Sequence, residues 1–122
     1  MKKLHIKILL LAVVMLPAGC QSPSQIQENQ RIEAMQMVKH LALGCHLYAQ
    51  DNDGMLPLEM SEIKPYVEIL FNPDEYVLVI SGKLSEVVLP SKAILIRHKA
   101  LLPGGLQAVA FADGHAEIIS VR

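Results

Sequence analysis

The sequence predicts an α+β fold in which one long N-terminal helix packs on a small antiparallel sheet of three to four strands. Apolar residues recur at alternating steps of four and three along residues 31–50, the spacing of an amphipathic helix. This stripe consists of Ala34, Val38, Leu41, Cys45 and Tyr48. Short apolar runs follow in the C-terminal half, and an Asp-Gly pair separates the last two runs, which is typical of an antiparallel hairpin.

The first twenty residues have the features of a secretory signal. Three lysines precede an unbroken apolar run from Ile8 to Leu16, and small residues then lead to Cys20. The run is about half of the ~20 residues that a helix needs to cross a bilayer. A basic start, a short apolar run and small residues at the end describe a cleavable signal. We therefore assign residues 1–19 to a signal peptide.

The residues around the predicted cleavage point, Pro17-Ala18-Gly19-Cys20, resemble the lipobox of bacterial lipoproteins, with Pro17 in the place usually held by leucine. The resemblance implies cleavage before Cys20 and a covalent lipid, palmitate included, on the mature cysteine. Gln21 follows the cysteine, and in enterobacterial lipoproteins a residue other than Asp there generally goes with outer-membrane sorting. The implied location is the periplasmic face of the outer membrane, reached through the lipid anchor.

Length and charge limit what the mature chain can be. Removing 19 of the 122 residues leaves 103, which is enough for one domain. We assign residues 20–30 to the lipidated cysteine and a polar tether, with helix beginning near Ser24 or Gln25, and residues 31–122 to the helix-plus-sheet domain. The mature chain has 8 Lys and Arg against 12 Asp and Glu and no basic run, so nucleic acid is excluded as a partner.

Turn-forming residues and apolar runs place the remaining elements. The turn formers Asp51 to Gly54 stop the long helix, and a short helix capped by Ser61 is expected over residues 61–67. Strands are predicted at residues 76–80, 93–97, 107–112 and 115–121.

The last two predicted strands form a hairpin around Asp113 and Gly114, which we predict to be a structural turn. A two-residue type I′ loop requires positive φ at both central residues, and Asp-Gly suits it. This loop would place Phe111 opposite Ala116, and Val109 opposite Ile118, on the face toward the helix.

Two stretches of the chain together resemble a known family. Leu47–Pro57, followed by Pro65-Tyr66, resembles the head of bacterial type II secretion pseudopilins. The C-terminal stretch is similar to the processing-associated His/Asp-Gly domain of pseudopilin-like proteins; its matching residues are Arg97-His98, Gly104-Gly105 and Val109–His115. The resemblance covers residues 31–122 and implies a pseudopilin-head fold, with secretion or pilin-like envelope proteins as partners. Where pseudopilins have an apolar stalk, however, this chain has polar glutamines.

Two sets of residues could hold a metal ion. His98, Asp113 and His115 would suffice for zinc if the strand ends brought them together. Asp51 and Asp53 open a D-x-D-G sequence like that of an oxygen-ligand calcium loop. For both sets we prefer a structural interpretation, because helix stops and hairpins use the same residue types.

No catalytic grouping is evident, so we predict a non-enzyme with no cofactor other than the lipid on Cys20. Cys45 is interpreted as a small buried hydrophobe, with a reactive or intermolecular thiol as the alternative. The leading hypothesis is a non-catalytic lipid-anchored envelope protein with a pseudopilin-like head, as a component or accessory of a type II secretion or pilus-like assembly. The alternatives are a small periplasmic module that binds zinc or calcium, and an orphan lipoprotein of passive role.

Overall fold

A computed structural model describes residues 22–121, which form one long helix and a four-stranded antiparallel sheet. Helix α1 spans Pro23–Asp51, and the strands lie in the order β1-β2-β3-β4 across the sheet. The strand bounds are Tyr76–Leu78 for β1, Ile94–His98 for β2, Leu106–Phe111 for β3 and Ala116–Ser120 for β4. The predicted α+β arrangement is confirmed. The predicted signal peptide and Cys20 lie outside the described residues.

Helix α1 begins one or two residues before the predicted onset because Ser22 caps it. The Ser22 hydroxyl accepts a hydrogen bond from the Gln25 backbone N–H at 3.2 Å, and the Ser22 N–H donates to the Gln25 side chain at 3.0 Å. Pro23 occupies the first helical position, where its missing N–H costs nothing. The part of the predicted tether from residue 23 to residue 30 is therefore helical.

Helix α1 packs against the core from Ala34 onward. Residues 23–30 are all exposed, and the first fully buried side chain is Val38. At ~1.5 Å per residue, the exposed residues 23–30 make about 12 Å of helix. Among residues 22–121, no helix combines the length and the apolar character needed to cross a bilayer. Residues 23–30 are thus a polar, exposed helical segment that leads away from the head, and we call this segment the rod.

The turn formers that follow α1 end it as predicted. Asp53 and Gly54 adopt positive φ angles of 56° and 81°, and the Gly54 N–H donates to the Ala49 carbonyl at 2.7 Å. This bond satisfies a carbonyl that the helix end leaves free. The chain then pairs Met55 with Lys83 in an isolated antiparallel bridge.

The predicted short helix is a 3-10 helix over Met60–Tyr66, and the prediction that Ser61 caps it is wrong. The cap residue is Glu59, and the Glu62 carboxylate accepts the backbone N–H groups of Leu58 and Glu59, both at 2.9 Å. A carboxylate three residues into the segment can reach back to the free donors at its start, so the serine hydroxyl is not needed.

The core lies between α1 and the inner face of the sheet. From the helix it contains Val38, Leu41, Ala42 and Cys45; from the 3-10 segment, Met60 and Ile63; and from the strands, Tyr76, Leu95, Ile96, Ala108 and Ala110. Leu95 and Ile96 are both fully buried because β2 changes register between Ile94 and Ile96.

The hairpin has a different register from the predicted one. Ala110 pairs with Ala116, and Ala108 pairs with Ile118. The Gly114 N–H donates to the Phe111 carbonyl at 2.9 Å, and Gly114 alone of the turn residues has positive φ, at 100°. The loop therefore has three residues, a type I turn followed by a glycine bulge, and the predicted type I′ loop is wrong.

The extra loop residue changes which β3 side chains meet the helix. A shift of one residue turns every side chain of a strand to the other face. Ala108 and Ala110 therefore lie in the core, whereas Val109 and Phe111, predicted to face the helix, belong to the outer face of the sheet.

We predict that Gly114→Val lowers the free energy of unfolding by about 1–3 kcal/mol, because a β-branched residue resists positive φ. A Cβ at Gly114 would meet nothing within 4 Å, so the cost is conformational rather than steric. Gly114→Asn is the matched control and should cost less, since Asn tolerates this region better. Urea unfolding of the purified protein measures both, and a valine variant as stable as the wild type would contradict the turn assignment.

We predict that Gly44→Ala destabilises the wild-type protein by about 1–3 kcal/mol, because an added Cβ would lie only 2.6 Å from Val67 Cγ2. In a Val67→Ala background the same change should instead stabilise the helix, by up to about 1 kcal/mol. A double-mutant cycle from urea unfolding tests this reversal of sign. Equal effects in the two backgrounds would show that Val67 does not limit the approach of α1 to the 3-10 helix.

Candidate functional site

A group of polar side chains surrounds the β3–β4 turn, where two carboxylates flank one histidine. Asp113 Oδ1 lies 2.5 Å from His115 Nδ1 and also accepts the His115 backbone N–H at 3.1 Å. Glu117 Oε2 lies 2.8 Å from His115 Nε2. Asp113 and Glu117, two positions before and two positions after His115, therefore hold its ring between two carboxylates. We call these three residues the bracket.

The bracket favours the charged form of His115. Both ring nitrogens face carboxylate oxygens, and only the imidazolium has an N–H donor at each nitrogen. The hydrogen bond to Glu117, followed by that to Asp113, raises the pKa of His115 above its ordinary value. Hydrogen bonds from His115 in turn lower the pKa of Asp113. While His115 is protonated, neither ring nitrogen has a lone pair to offer a metal ion.

Phe111 forms the floor beneath the His115 ring. The two rings are stacked in parallel, with centroids 4.4 Å apart and an interplanar angle of 0°. A cation over an aromatic face is attracted by the ring quadrupole. The three-residue loop makes this contact, because it places Phe111 and His115 together on the outer face. The sequence analysis did not predict that Phe111 and Glu117 contact His115, because the two-residue loop that it predicted would turn Phe111 toward the helix.

An open groove of about 570 Å³ runs between α1 and the turn. Its lining residues are Gln36, Lys39, His40, Leu43 and His46 from the helix, and Asp113 and Gly114 from the turn. His46 Nε2 lies 2.7 Å from the Ala112 carbonyl oxygen and joins the helix to the loop. Sequence analysis gave His46 no role, although its helical phase, about 100° beyond Cys45, places it on a flank of the buried stripe.

His98, the third residue of the proposed zinc set, lies apart from the other two. Its ring stacks on Tyr76 with centroids 4.8 Å apart, and Nε2 is 4.0 Å from Glu75 Oε1. It borders a groove beside Ala34 and Met37 of α1, whereas Asp113 and His115 lie at the opposite end of the sheet. The structure thus brings Asp113 and His115 together but does not bring His98 to them.

The two aspartates of the proposed calcium loop take part in the end of helix α1. Asp51 Oδ2 accepts the Tyr66 hydroxyl at 2.8 Å, which raises the pKa of Tyr66. Asp53 adopts the positive φ of the helix stop. In the part of the chain from Ser22 to Val121, no three His, Cys, Asp or Glu side chains are grouped in a way that could hold a metal ion.

Cys45 is fully buried, which confirms its interpretation as a core residue. Burial raises the pKa of its thiol to about 12, so almost none of it is thiolate at neutral pH. Because the thiolate is the reactive form, this cysteine is inert in the folded protein.

The chain was compared with protein-family models, with curated proteins and with solved structures, and none of them matches it.

We predict that Glu117→Gln lowers the melting temperature most below pH 6.5, the ordinary pKa of histidine, and progressively less as the pH rises. The pKa of His115 is raised in the folded state. Its contribution to the stability of the fold is therefore complete at pH values below the pKa of the unfolded state, and it is lost as the pH rises through the pKa of the folded state. The pKa of Asp113 is lowered in the folded state, so its contribution to stability is present above pH 3.8, its ordinary pKa, and is lost in stronger acid.

Melting curves of the wild type, Glu117→Gln and the control Glu68→Gln between about pH 4 and pH 9 measure this dependence. Glu68 is exposed and lies outside the bracket, so its variant should follow the wild type. A difference between the wild type and Glu117→Gln that is independent of pH would contradict a charged His115.

Proposed function

We propose that the protein is a non-catalytic, lipid-anchored envelope protein whose pseudopilin-like head serves a secretion or pilus-like assembly as an accessory. The observation that supports this most directly is helix α1. It begins three residues after Cys20, its residues 23–30 are all exposed, and it first packs against the core at Ala34. A lipid on Cys20 would therefore be separated from the head by a rod of about 12 Å.

The composition of the rod favours an accessory over a filament subunit. Pseudopilin subunits stack through an apolar stalk, whereas residues 23–30 are polar apart from Ile26 and Pro23 and are all exposed. Such a helix gains little by burial among copies of itself. The lipid would hold the head at a membrane surface, and the rod would set its distance from that surface.

The polar clusters of the head support a binding role rather than catalysis. The Cys45 thiol is buried with a pKa of about 12, and both His115 ring nitrogens face carboxylates within one bracket. Side chains that are already paired with each other, as Asp113, His115 and Glu117 are, can hold a surface in one shape for a partner to bind. They are poorly suited to moving protons to and from a substrate.

We predict that the wild-type protein carries lipid on Cys20 and that Cys20→Ser carries none. Acylation by two or more chains gives stable attachment, because each buried CH₂ contributes about 0.8 kcal/mol. Labelling with a palmitate analogue, followed by intact-mass analysis, identifies both the mature N-terminus and the added mass. The matched control is Cys45→Ser, which should keep the label. A mature N-terminus other than Cys20, or one without lipid, would refute the anchor.

The role in an assembly is tested separately, by purifying the C-terminally tagged wild-type protein from envelope fractions. We expect pilin-like or secretion proteins to accompany it, and we expect Cys20→Ser to lose them. Recovery of the lipidated protein without any such partner would refute the assembly role while leaving the anchor intact.

A further inference from the structure

The loop between β2 and β3 lies at the end of the head that is nearer to Cys20. Its residues Ala100–Pro103 border a groove together with four residues of α1, namely Gln30, Glu33, Ala34 and Met37. The other end of the sheet lies beside the last turns of the helix, where His46 contacts Ala112. At ~1.5 Å per residue, about 24 Å of helix separates Gln30 from His46. The β2–β3 loop is therefore on the Cys20 side of the head.

Residues Ala100–Pro103 form an apolar loop that is exposed and rigid. Leu101 is 54% exposed, and Ala100 and Pro103 are exposed as well. Leu102 and Leu106 close the loop as an antiparallel bridge, with backbone hydrogen bonds of 2.7 and 3.4 Å. Exposed turns consist mainly of Gly, Pro, Asn, Asp and Ser. A leucine that a closed loop holds in solvent is thus available for contact with an apolar partner.

Ile26 extends this apolar surface onto the rod. It lies one helical turn before Gln30, and residues four apart in sequence share one side of a helix. Because Gln30 borders the groove beside the loop, Ile26 lies on the loop side of the rod. Its side chain is 45% exposed. We call Ile26 and Ala100–Pro103 together the anchor-side patch.

The charges near the anchor-side patch balance one another. Lys99 directly precedes the loop, and its N–H donates to the Glu75 carbonyl at 2.8 Å. Glu33 borders the groove, and Arg97 lies near the end of β2. All four side chains are exposed and can remain in water. With two charges of each sign, the patch should recognise a partner through apolar contact rather than through charge.

We propose that the anchor-side patch lies in the interfacial layer of the bilayer that holds the lipid on Cys20, an inference that rests on the proposed anchor. The three residues from Cys20 to Pro23 span at most about 11 Å, so the anchor keeps the bilayer close to the start of α1. Such a linkage makes a second contact intramolecular, and a weak apolar contact is then sufficient.

The size of the patch favours lipid over protein as its partner. A stable protein–protein interface takes roughly 20–30 residues from each side. The anchor-side patch has five residues, too few to hold a second copy of the chain or a different protein by themselves. A bilayer surface has no such minimum, because the lipid on Cys20 supplies most of the attachment and the patch only orients the head.

The contact requires helix α1 to lean toward the loop. The rod is about 12 Å long, and elements packed on a helix lie about 10 Å from its axis. A loop displaced sideways by that distance reaches the level of Pro23 when the helix leans about 50° from the membrane normal. This lean turns Ile26 toward the lipid and Glu28, on the opposite side of the rod, toward water.

The test uses introduced indoles, since the chain contains no tryptophan. Each variant of the lipidated full-length protein is reconstituted in phosphatidylcholine vesicles that contain a phospholipid brominated near its headgroup. Ile26→Trp and Glu28→Trp are the first matched pair, because both positions are exposed, close to Cys20 and on opposite sides of the rod. The fluorescence quenching of the two reports the lean.

The second matched pair, Leu101→Trp and Val88→Trp, reports which end of the head meets the lipid. Val88 is 81% exposed, and its loop lies at the far end, where the Pro90 carbonyl accepts the Asp113 N–H at 3.2 Å. Ile26→Trp and Leu101→Trp should each be quenched at least about threefold more strongly than their partners. The ratios should not change when phosphatidylglycerol is added, because the contact is apolar. Melting temperatures close to that of the wild type establish that the variants fold.

A further pair of variants tests whether the loop causes the lean. In the Ile26→Trp background, Leu101→Glu should lower the quenching at least about threefold, because a carboxylate resists transfer to the interface. Leu101→Met keeps an apolar side chain of similar size and should leave the quenching unchanged.

Three results would overturn the proposal: equal quenching within either matched pair, equal effects of Leu101→Glu and Leu101→Met, or a difference that disappears when the protein is diluted about tenfold in lipid. The last result would mean that a second copy causes the difference. Intact mass of the same samples separates the two proposals. A chain without lipid on Cys20 would refute the anchor and this contact with it, whereas equal quenching of a lipidated chain would refute the contact alone.

Discussion

The close approach of helix α1 to the central strands is the constraint on which the rest of the fold depends. Small residues permit it on both sides: Ala42 on the helix, and Ala108 and Ala110 on β3, are all fully buried. A chain of this size buries only about two thirds of the surface that its unfolded form exposes. Its stability therefore depends on this one core. The hairpin register follows from this contact, because only one face of β3 presents alanines.

Much of the fold could be predicted from the sequence, because its signals are local. The helical stripe and the apolar runs gave the helix, and all four strands, to within about two residues. The hairpin register could not be predicted in the same way. Asp-Gly suits a type I′ loop and equally the end of a type I turn with a glycine bulge, and the two differ in whether Ala112 belongs to the loop. That single residue decided which side chains of β3 meet the helix.

The candidate site was only partly predictable for the same reason. Asp113 and His115 are near neighbours in sequence, so their contact needed only the turn. Glu117 and Phe111 join them through a register that sequence patterns left open, and His46 joins through a contact 66 residues away. His98 was grouped with them because strand order alone does not tell which end or face of a sheet a residue occupies.

The buried thiol of Cys45 has a practical consequence. If Cys20 is acylated, Cys45 is the sole free thiol of the mature chain, and it sits where α1 contacts the sheet. A thiol-reactive dye can then reach it only when the helix lifts from the strands, so the rate of modification reports the opening of the core. The purified wild-type protein thus contains its own probe of helix docking and needs no engineered label.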